Sequence, residues 1–364
     1  MLLADLKAAT SVPDDLYRRY ELYGSVINKI SKGKSPGLLL ISGGHQRDSF
    51  SSTDNHLQHF AHAAKRTQFR KAATIAFREL QSRHILPTMI IAGDPFFGLL
   101  SAFLLRKKFS RKIPIQVSFH GEITKSGFGT GIKGRLQNLF IQKTIAKVES
   151  VRLVSNDQIH FAKKLFGVVD KQIVIAPVPL ISTFKRTTRS KKKVVAFVGR
   201  IHPQRGIGTW VEAMKNLSVK AEALIIGDGP LKSTFIEDLK EIPKVSVNAT
   251  GYISQSELEN TWAKISVLLS TAPFESYGMA MREAVLHGVP VVSMRNSGAQ
   301  NLHNECPKMI TLVDNAEEAA RAIEKVLDQP PSAVVVNKYK KDFLKAQESY
   351  LKSLAKSWLG NVGD

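Results

Sequence analysis

Short runs of β-branched and aliphatic residues alternate with helix-length amphipathic stretches from one end of this 364-residue chain to the other. A strand that is followed by a helix and then by another strand returns to its sheet as a parallel neighbour, so the pattern predicts α/β architecture built on doubly wound parallel sheets. In the first half, strands are expected at 37–41, 88–92, 113–119, 151–155 and 174–177. Helices, with apolar residues at three-to-four spacing, are expected at 14–30, 56–83, 98–108, 133–147 and 158–165. A second series places strands at 194–198, 221–226, 245–249, 267–270 and 290–293, and helices at 206–217, 231–239, 254–263 and 276–287. The tail 343–359 reads as one further amphipathic helix.

The chain is longer than one hydrophobic core usually organises. The basic stretch 185–193 holds no core-forming run and is the expected linker. The expected domains are therefore 1–185 and 193–342, with 343–364 a helix that crosses back to the first. With 43% hydrophobic and 23% charged residues, the composition is that of packed domains rather than of a disordered chain. The lone Cys306 excludes an internal disulfide and fits a reducing compartment. Residues 1–30 lack a continuous apolar signal core, and the most apolar stretch, 89–105, is interrupted by Gly93, Asp94, Pro95 and Gly98. A cytoplasmic protein without a membrane span is the expectation.

The formal charge of +21 calls for an anionic partner or surroundings, and it is unevenly spread. Residues 1–180 carry 27 Lys+Arg against 12 Asp+Glu, a net +15 that leaves +6 for the rest. Lys65, Arg66, Arg70, Lys71, Arg78 and Arg83 lie among apolar residues, and Arg106, Lys107, Lys108, Arg111 and Lys112 follow an apolar helix. Two readings stay open: attachment to anionic headgroups at the inner face of a membrane, and a solvated basic face. The charge alone also suggests a nucleic-acid-binding protein. No zinc module, RNP element or aromatic-basic stripe accompanies it, so nucleic acid is not the expected partner.

Doubly wound sheets bind ligands at the C-terminal ends of their strands, where helix N-termini favour anions. The segment Thr271-Ala-Pro-Phe-Glu-Ser-Tyr-Gly-Met-Ala-Met-Arg-Glu283 follows the 267–270 strand and opens the 276–287 helix. Glu275 and Glu283, eight residues apart, would then lie two turns apart on one face, one at the helix mouth and one deeper. Carboxylates so placed can accept hydrogen bonds from sugar hydroxyls, and Gly278 permits close backbone approach. Two glutamates on a helix are, by themselves, more often a solvated face.

This segment, with Phe274, Tyr277, Gly278 and Gly288-Val-Pro-Val-Val292, resembles the E-x7-E motif of the retaining glycosyltransferases of family 4. Val198-Gly-Arg-Ile-His-Pro-Gln-Arg-Gly206 resembles that family's diphosphate-holding loop, with Arg200 and Arg205 as its two cations. Ile225-Ile-Gly-Asp-Gly-Pro230 and Thr250-Gly-Tyr-Ile-Ser254 are similar to its next two strand ends, where base and ribose are held. More weakly, 2–4, 14–23, Ala92-Gly-Asp-Pro-Phe96, Val117-Ser-Phe-His-Gly-Glu122 and 151–156 resemble its first domain, with His120 beside the transferred sugar. The resemblance implies a GT-B fold, two Rossmann-like domains facing each other across a cleft. It also implies a catalytic set of His120, Arg200, Arg205 and Glu275. Donor binding would fall to Gly199, Gly227, Asp228, Tyr252, Ile253, Glu275, Ser276, Tyr277, Gly278, Met279 and Glu283.

The implied activity is retaining transfer from a nucleotide-diphosphate sugar, such as a UDP- or GDP-hexose, to a lipid-linked, polysaccharide or small-molecule acceptor. The nucleotide sugar is a co-substrate, and no cofactor or metal is implied. No Asp-x-Asp element of the metal-binding kind occurs, and fixed guanidinium groups can stabilise a leaving diphosphate themselves. Two departures from the family pattern stand out: Arg205 replaces the usual lysine, and the first loop, 4–13, lacks the Gly-Gly pair common there. Nucleotide-sugar epimerisation and a non-catalytic nucleotide-sugar-binding protein are the alternatives. Gly129-Thr-Gly-Ile-Lys-Gly134 has the spacing of a dinucleotide fingerprint but starts about ten residues past its strand, so a loop near the acceptor is the expected role. His56, His59 and His62 at helical spacing read as a solvent-facing stripe rather than a metal site.

Overall fold

The computed structural model describes residues 2–4, 14–34, 37–52, 56–65, 67–109, 113–120, 123, 127, 131–182 and 192–359. The chain divides into two compact units, one of Met1–Ile181 with Ala346–Asp364 and one of Ser182–Lys345. The expected linker falls largely outside the described residues, as do most of the first loop and residues 129–130 of the glycine-rich run.

The first unit runs β1 (Leu2–Ala4), α1 (Asp14–Ile30), β2 (Leu38–Gly43), β3 (Ser49–Ser52), β4 (Leu57–His62), α2 (Phe69–Ser82), β5 (Ile90–Ala92), α3 (Phe97–Lys108), β6 (Ile115–Phe119), α4 (Gly131–Thr144), β7 (Ser150–Leu153), α5 (Gln158–Phe166) and β8 (Ile173–Ile175). Its sheet has the order β3-β4-β2-β1-β5-β6-β7-β8, parallel except for the β3–β4 pair. Side chains alternate across a strand, and β2 shows it: Leu39 and Ile41 join one apolar cluster with α2, α3 and α5 residues, while Leu38 and Leu40 join another. That second cluster holds Tyr20, Tyr23 and Ile27 of α1 with Leu351, Leu354 and Trp358 from the C-terminal helix. The Trp358 indole donates to the buried Gln116 Oε1 at 2.6 Å, so the polar edge of the largest ring in the cluster is satisfied.

Residues 56–83 do not form one helix. Leu57–His62 is a strand, parallel to β2 in the register Leu38↔Leu57 through Gly43↔His62 and antiparallel to β3. The spacing of Leu57, Phe60, Ala61 and Ala64 imitates a helix, but pairing on both sides of the strand overrides it. The histidine stripe disappears with the helix, because positions three apart on a strand face opposite ways. Ser42 Oγ instead lies 2.7 Å from both His45 Nε2 and His59 Nε2, and His62 is fully buried. Gly131–Gly134 of the fingerprint-like run open α4.

The second unit continues β9 (Val194–Val198), α6 (Ile207–Lys215), β10 (Ala221–Ile226), α7 (Lys232–Lys240), β11 (Val245–Gly251), α8 (Gln255–Thr261), β12 (Val267–Ser270), α9 (Met279–Leu286), β13 (Val291–Met294), α10 (Ser297–Glu305), β14 (Ile310–Val313), α11 (Ala316–Asp328) and α12 (Ala333–Leu359). All pairs of its sheet, β11-β10-β9-β12-β13-β14, are parallel. Counted from β9, that is the dinucleotide-fold order 3-2-1-4-5-6, which reverses direction between β9 and β12 and leaves a crevice beyond their C-terminal ends. Phe197, Trp210 and Phe235 meet edge to face at the centre of its core. The tail helix begins ten residues before the expected start, and α10, β14 and α11 extend the series past the last expected strand.

Candidate functional site

The loops that follow β9 and β12 meet at the switch point. After β9 the chain makes a tight turn, Pro203–Arg205, and enters α6 at Gly206. After β12 it passes through Thr271–Tyr277 and enters α9, whose cap is Gly278. Thr271 Oγ1 donates to the Arg205 carbonyl at 2.9 Å, which ties the two loops together. Arg205 Nη1 then donates to Glu275 Oε2 at 2.6 Å, with both side chains partly exposed. The pair lines a small pocket with Val198, Thr271, Gly278 and Met281.

The helix of the acidic motif starts at Met279, three residues later than expected. Glu275 therefore sits on the loop before the cap, not on the helix face, and the two glutamates are not aligned two turns apart. The left-handed turn at Gly278 ends the loop and sets the helix start beyond it. Glu275 is held from behind, because the Gly298 amide at the start of α10 donates to its carbonyl at 2.6 Å. Glu283, buried in α9, accepts from Gln255 Nε2 of α8 at 3.1 Å and so faces the end of β11. Tyr252 and Ile253 occupy that end, and Tyr252 is 73% exposed.

The two glycine-bearing loops beside β9 interlock through backbone. The Gly199 amide donates to Ile226 O, the Ile201 amide to Asp228 O and the Gly227 amide to Gly251 O, at 2.9, 2.9 and 2.8 Å. A Cβ on Gly227 would lie 1.9 Å from Gly199 O, so no side chain fits there. Asp228 is exposed and accepts from Lys232 Nζ at 3.0 Å; that hydrogen bond and the Gly229 amide hold its carboxyl below the ordinary carboxylate range. Arg200 is exposed, and its Nη2 lies 3.4 Å from Gln204 Oε1 in the same loop. The structure thus puts Arg205 against Glu275, arrays Gly199, Arg200, Gly227, Asp228, Tyr252, Ile253, Ser276, Tyr277, Gly278 and Met279 on strand-end loops or the helix starts that follow, and places Glu283 one turn into α9. His120 is in the first unit, half-buried just after β6, and is not one of the residues that the second unit assembles.

Residues that the motifs do not mark also shape the site. Arg282, 2% exposed, donates through Nε to the Tyr277 carbonyl at 3.0 Å and through both terminal nitrogens to Glu305, at 2.5 and 2.8 Å. Its guanidinium also lies 4.2 Å from the Tyr277 ring centroid and 3.2 Å from Tyr339 Oη. This network fixes the loop that carries Glu275 to α10 and α12. Asn296 caps α10 and donates to Ala272 O at 2.9 Å, holding the other end of that loop. The only signal of Asn296 in the sequence is its cap position before 297–305, and nothing in the linear pattern marks Arg282. Among the described residues no cluster of three metal-ligating side chains occurs.

Comparison with known proteins gives this arrangement its relatives. Residues 181–343 match the family model described as glycosyl transferases group 1. The GDP-mannose-dependent alpha-mannosyltransferase of Corynebacterium glutamicum is 31% identical over 141 residues, 38% of this chain and 32% of that protein. The match thus spans about a third of the length of that curated relative. Sucrose-phosphate synthase of Thermosynechococcus elongatus superposes with a TM-score of 0.74 at 14% identity, over 98% of this chain and 97% of the other. Anabaena Alr3699/HepE in complex with UDP-glucose gives 0.70 at 14% identity, over 98% of both chains. Residues 181–343 thus form a glycosyl transferases group 1 domain, carried in a chain of the GT-B fold.

Proposed function

We propose that the chain is a retaining, metal-independent glycosyltransferase that takes a hexose from a nucleotide-diphosphate sugar. The observation that carries this reading is the Arg205–Glu275 contact at the switch point, at 2.6 Å, beside the start of α9. An exposed ion pair is worth at most about 1 kcal/mol, so a diphosphate can draw Arg205 away at little cost. Glu275 is then released to accept from a sugar hydroxyl. Arg200 and Arg205 hold the diphosphate, Glu283 the ribose, and the Tyr252 end of β11 the base. His120 contributes from the first unit, hydrogen-bonding the transferred sugar near the reaction centre. The names of the relatives and the nucleotide sugar bound to the HepE neighbour support the same class of donor.

In the reaction the bond between the anomeric carbon and the diphosphate oxygen breaks, and the electron pair leaves with the diphosphate. Negative charge grows on that oxygen where Arg205, drawn from Glu275 on donor binding, and Arg200 already lie, so little further reorganisation is needed to stabilise it. The acceptor hydroxyl bonds to the anomeric carbon on the face the diphosphate leaves, and its proton passes to a leaving phosphate oxygen. A lipid-linked, polysaccharide or small-molecule acceptor satisfies the same chemistry. Epimerisation would release free sugar without an acceptor, which product analysis distinguishes. The basic first half is proposed to hold the protein at an anionic surface on the cytoplasmic side. No helix among the described residues is long and apolar enough to cross a membrane.

A thermal-shift panel of UDP-, GDP- and ADP-sugars tests the donor class, because a ligand of the folded state raises the melting temperature by mass action. One base is expected to stabilise the protein strongly. If no nucleotide sugar shifts the transition at millimolar concentration, the reading fails.

A further inference from the structure

Helix α4, Gly131–Thr144, carries apolar side chains on two opposite faces, and the core uses only one of them. Gly134 and Ile141 are buried, Ile141 within the main cluster of the first unit, and Ile145 continues that face into the next turn. At about 100° per residue, Ile132, Leu136 and Leu139 form a stripe roughly 180° away from those three. The stripe is open to solvent: Ile132 is 80% exposed, Leu136 62% and Leu139 45%. No other helix among the described residues shows three large apolar side chains so exposed in one row.

The charges around the stripe identify what meets it. Lys133 and Arg135 flank it on opposite sides, Lys143 ends it, and the fourteen residues of α4 include no Asp or Glu. Gln142 Nε2 donates to Leu165 O at 2.8 Å and ties the far end of α4 to α5, where Lys163 and Lys164 are exposed and Lys163 pairs with Asp170. Residues 1–180 as a whole carry a net +15. A protein partner would need an acidic rim around an apolar centre; an anionic bilayer supplies both over any area, with headgroups at the depth of the cations and acyl chains beneath.

We propose that α4 is a membrane-docking helix, which inserts Ile132, Leu136 and Leu139 below the headgroups of an anionic bilayer while Lys133, Arg135 and Lys143 stay at headgroup level. The cations keep their charge in water while their stems line the apolar surface. The inference deepens the anionic-surface reading above and rests on it; sugar transfer plays no part in it.

The test is flotation of the purified full chain with vesicles of phosphatidylcholine alone and of phosphatidylcholine with 30 mol% phosphatidylglycerol, a lipid content on the order of that which gives strong surface potentials. The wild-type protein is expected to float with the anionic vesicles only, and less in high salt. Ile132→Ser/Leu136→Ser keeps the charge and should bind at least about tenfold more weakly, because it removes two buried side chains. Lys133→Gln/Arg135→Gln should lose about tenfold at low salt and nearly nothing at high salt. If the wild type binds neither vesicle, the anionic-surface reading falls and this inference with it. If the wild type binds and the serine variant binds equally well, the surface reading stands and α4 is not the anchor. A melting temperature for the serine variant lowered like that of a core substitution, or a change from dimer to monomer in sedimentation, would show that the stripe is covered by protein and would also overturn the proposal.

Discussion

Gly206 and Gly208 stand two residues apart at the start of α6, and alanine at each should change stability in opposite directions. Gly206 has φ +65, and a Cβ there would lie 2.1 Å from Thr271 O and 2.9 Å from its carbonyl carbon. The left-handed backbone costs alanine roughly 1–2 kcal/mol. Displacing a backbone carbonyl in a packed interior adds about 1–3 kcal/mol. Gly206→Ala should therefore lose about 2–5 kcal/mol, which for a unit of this size lowers the melting temperature by about 5–15 °C. Gly208 is exposed, has no atom within 4 Å of the Cβ position, and lies in regular helix. Gly208→Ala should gain about 0.5–1 kcal/mol by restricting the unfolded chain, a rise of about 1–3 °C. The Gly206 variant should also weaken nucleotide-sugar binding, because the clash falls on Thr271, whose hydroxyl holds the Arg205 carbonyl at 2.9 Å. Calorimetric melting with and without ligand measures both effects. Equal losses at the two positions, or an unchanged transition for Gly206→Ala, would refute the reasoning.

Arg282→Met should cost about 2–4 kcal/mol, since it leaves Tyr277 O and Tyr339 Oη without their donor and breaks a guanidinium pairing, although the half-exposed Glu305 can hydrate; a melting temperature within 1 °C of wild type, as an order of measurement error, would contradict this. Burial pushes the His62 imidazole down from 6.5 to about 4, with Asp48 opposing and His45 adding to the shift. The unfolded chain takes up that proton first, so stability is intact above pH 6.5 and falls as the pH drops towards 4, by about 3 kcal/mol in all. Urea melts of wild type and His62→Phe across that range should diverge accordingly, and parallel curves would refute the assignment. Glu275→Gln should abolish transfer but leave binding of a sugar-free nucleoside diphosphate equal or tighter, because Arg205 loses its competing partner; weaker diphosphate binding would count against the exchange of partners proposed for Arg205.

The second unit was the more legible in sequence, for a physical reason. Central strands of a parallel sheet are buried on both faces, so Val194–Val198, Ala221–Ile226 and Val267–Ser270 stand out as apolar runs with the bounds the structure shows. Helix 56–83 failed because β4 is a short strand near the sheet edge with polar residues, and three-residue apolar spacing cannot by itself separate the two. Between Met294 and the tail helix, α10, β14 and α11 carry short apolar runs and are marked mainly by the caps Asn296 and Asn315, so the alternating pattern does not show them. At the site, motif spacing gathered the residues that surround the β9–β12 switch point, but it put Glu275 at the mouth of a helix expected from Ser276, and that helix begins only after Gly278. The contacts that fix that loop, from Arg282, Asn296 and Gly298, join positions up to 57 residues apart and leave no local pattern.

The central claim is that Arg205, fixed beside α9, is part of a diphosphate site. Titration calorimetry of UDP and GDP into the wild-type protein and into Arg205→Ala measures this directly. One nucleoside diphosphate is predicted to bind the wild type, and the variant, with an unchanged circular-dichroism spectrum, is predicted to bind it about 10–100-fold more weakly, the loss of one charged hydrogen bond. Equal affinity of the two proteins would contradict the account.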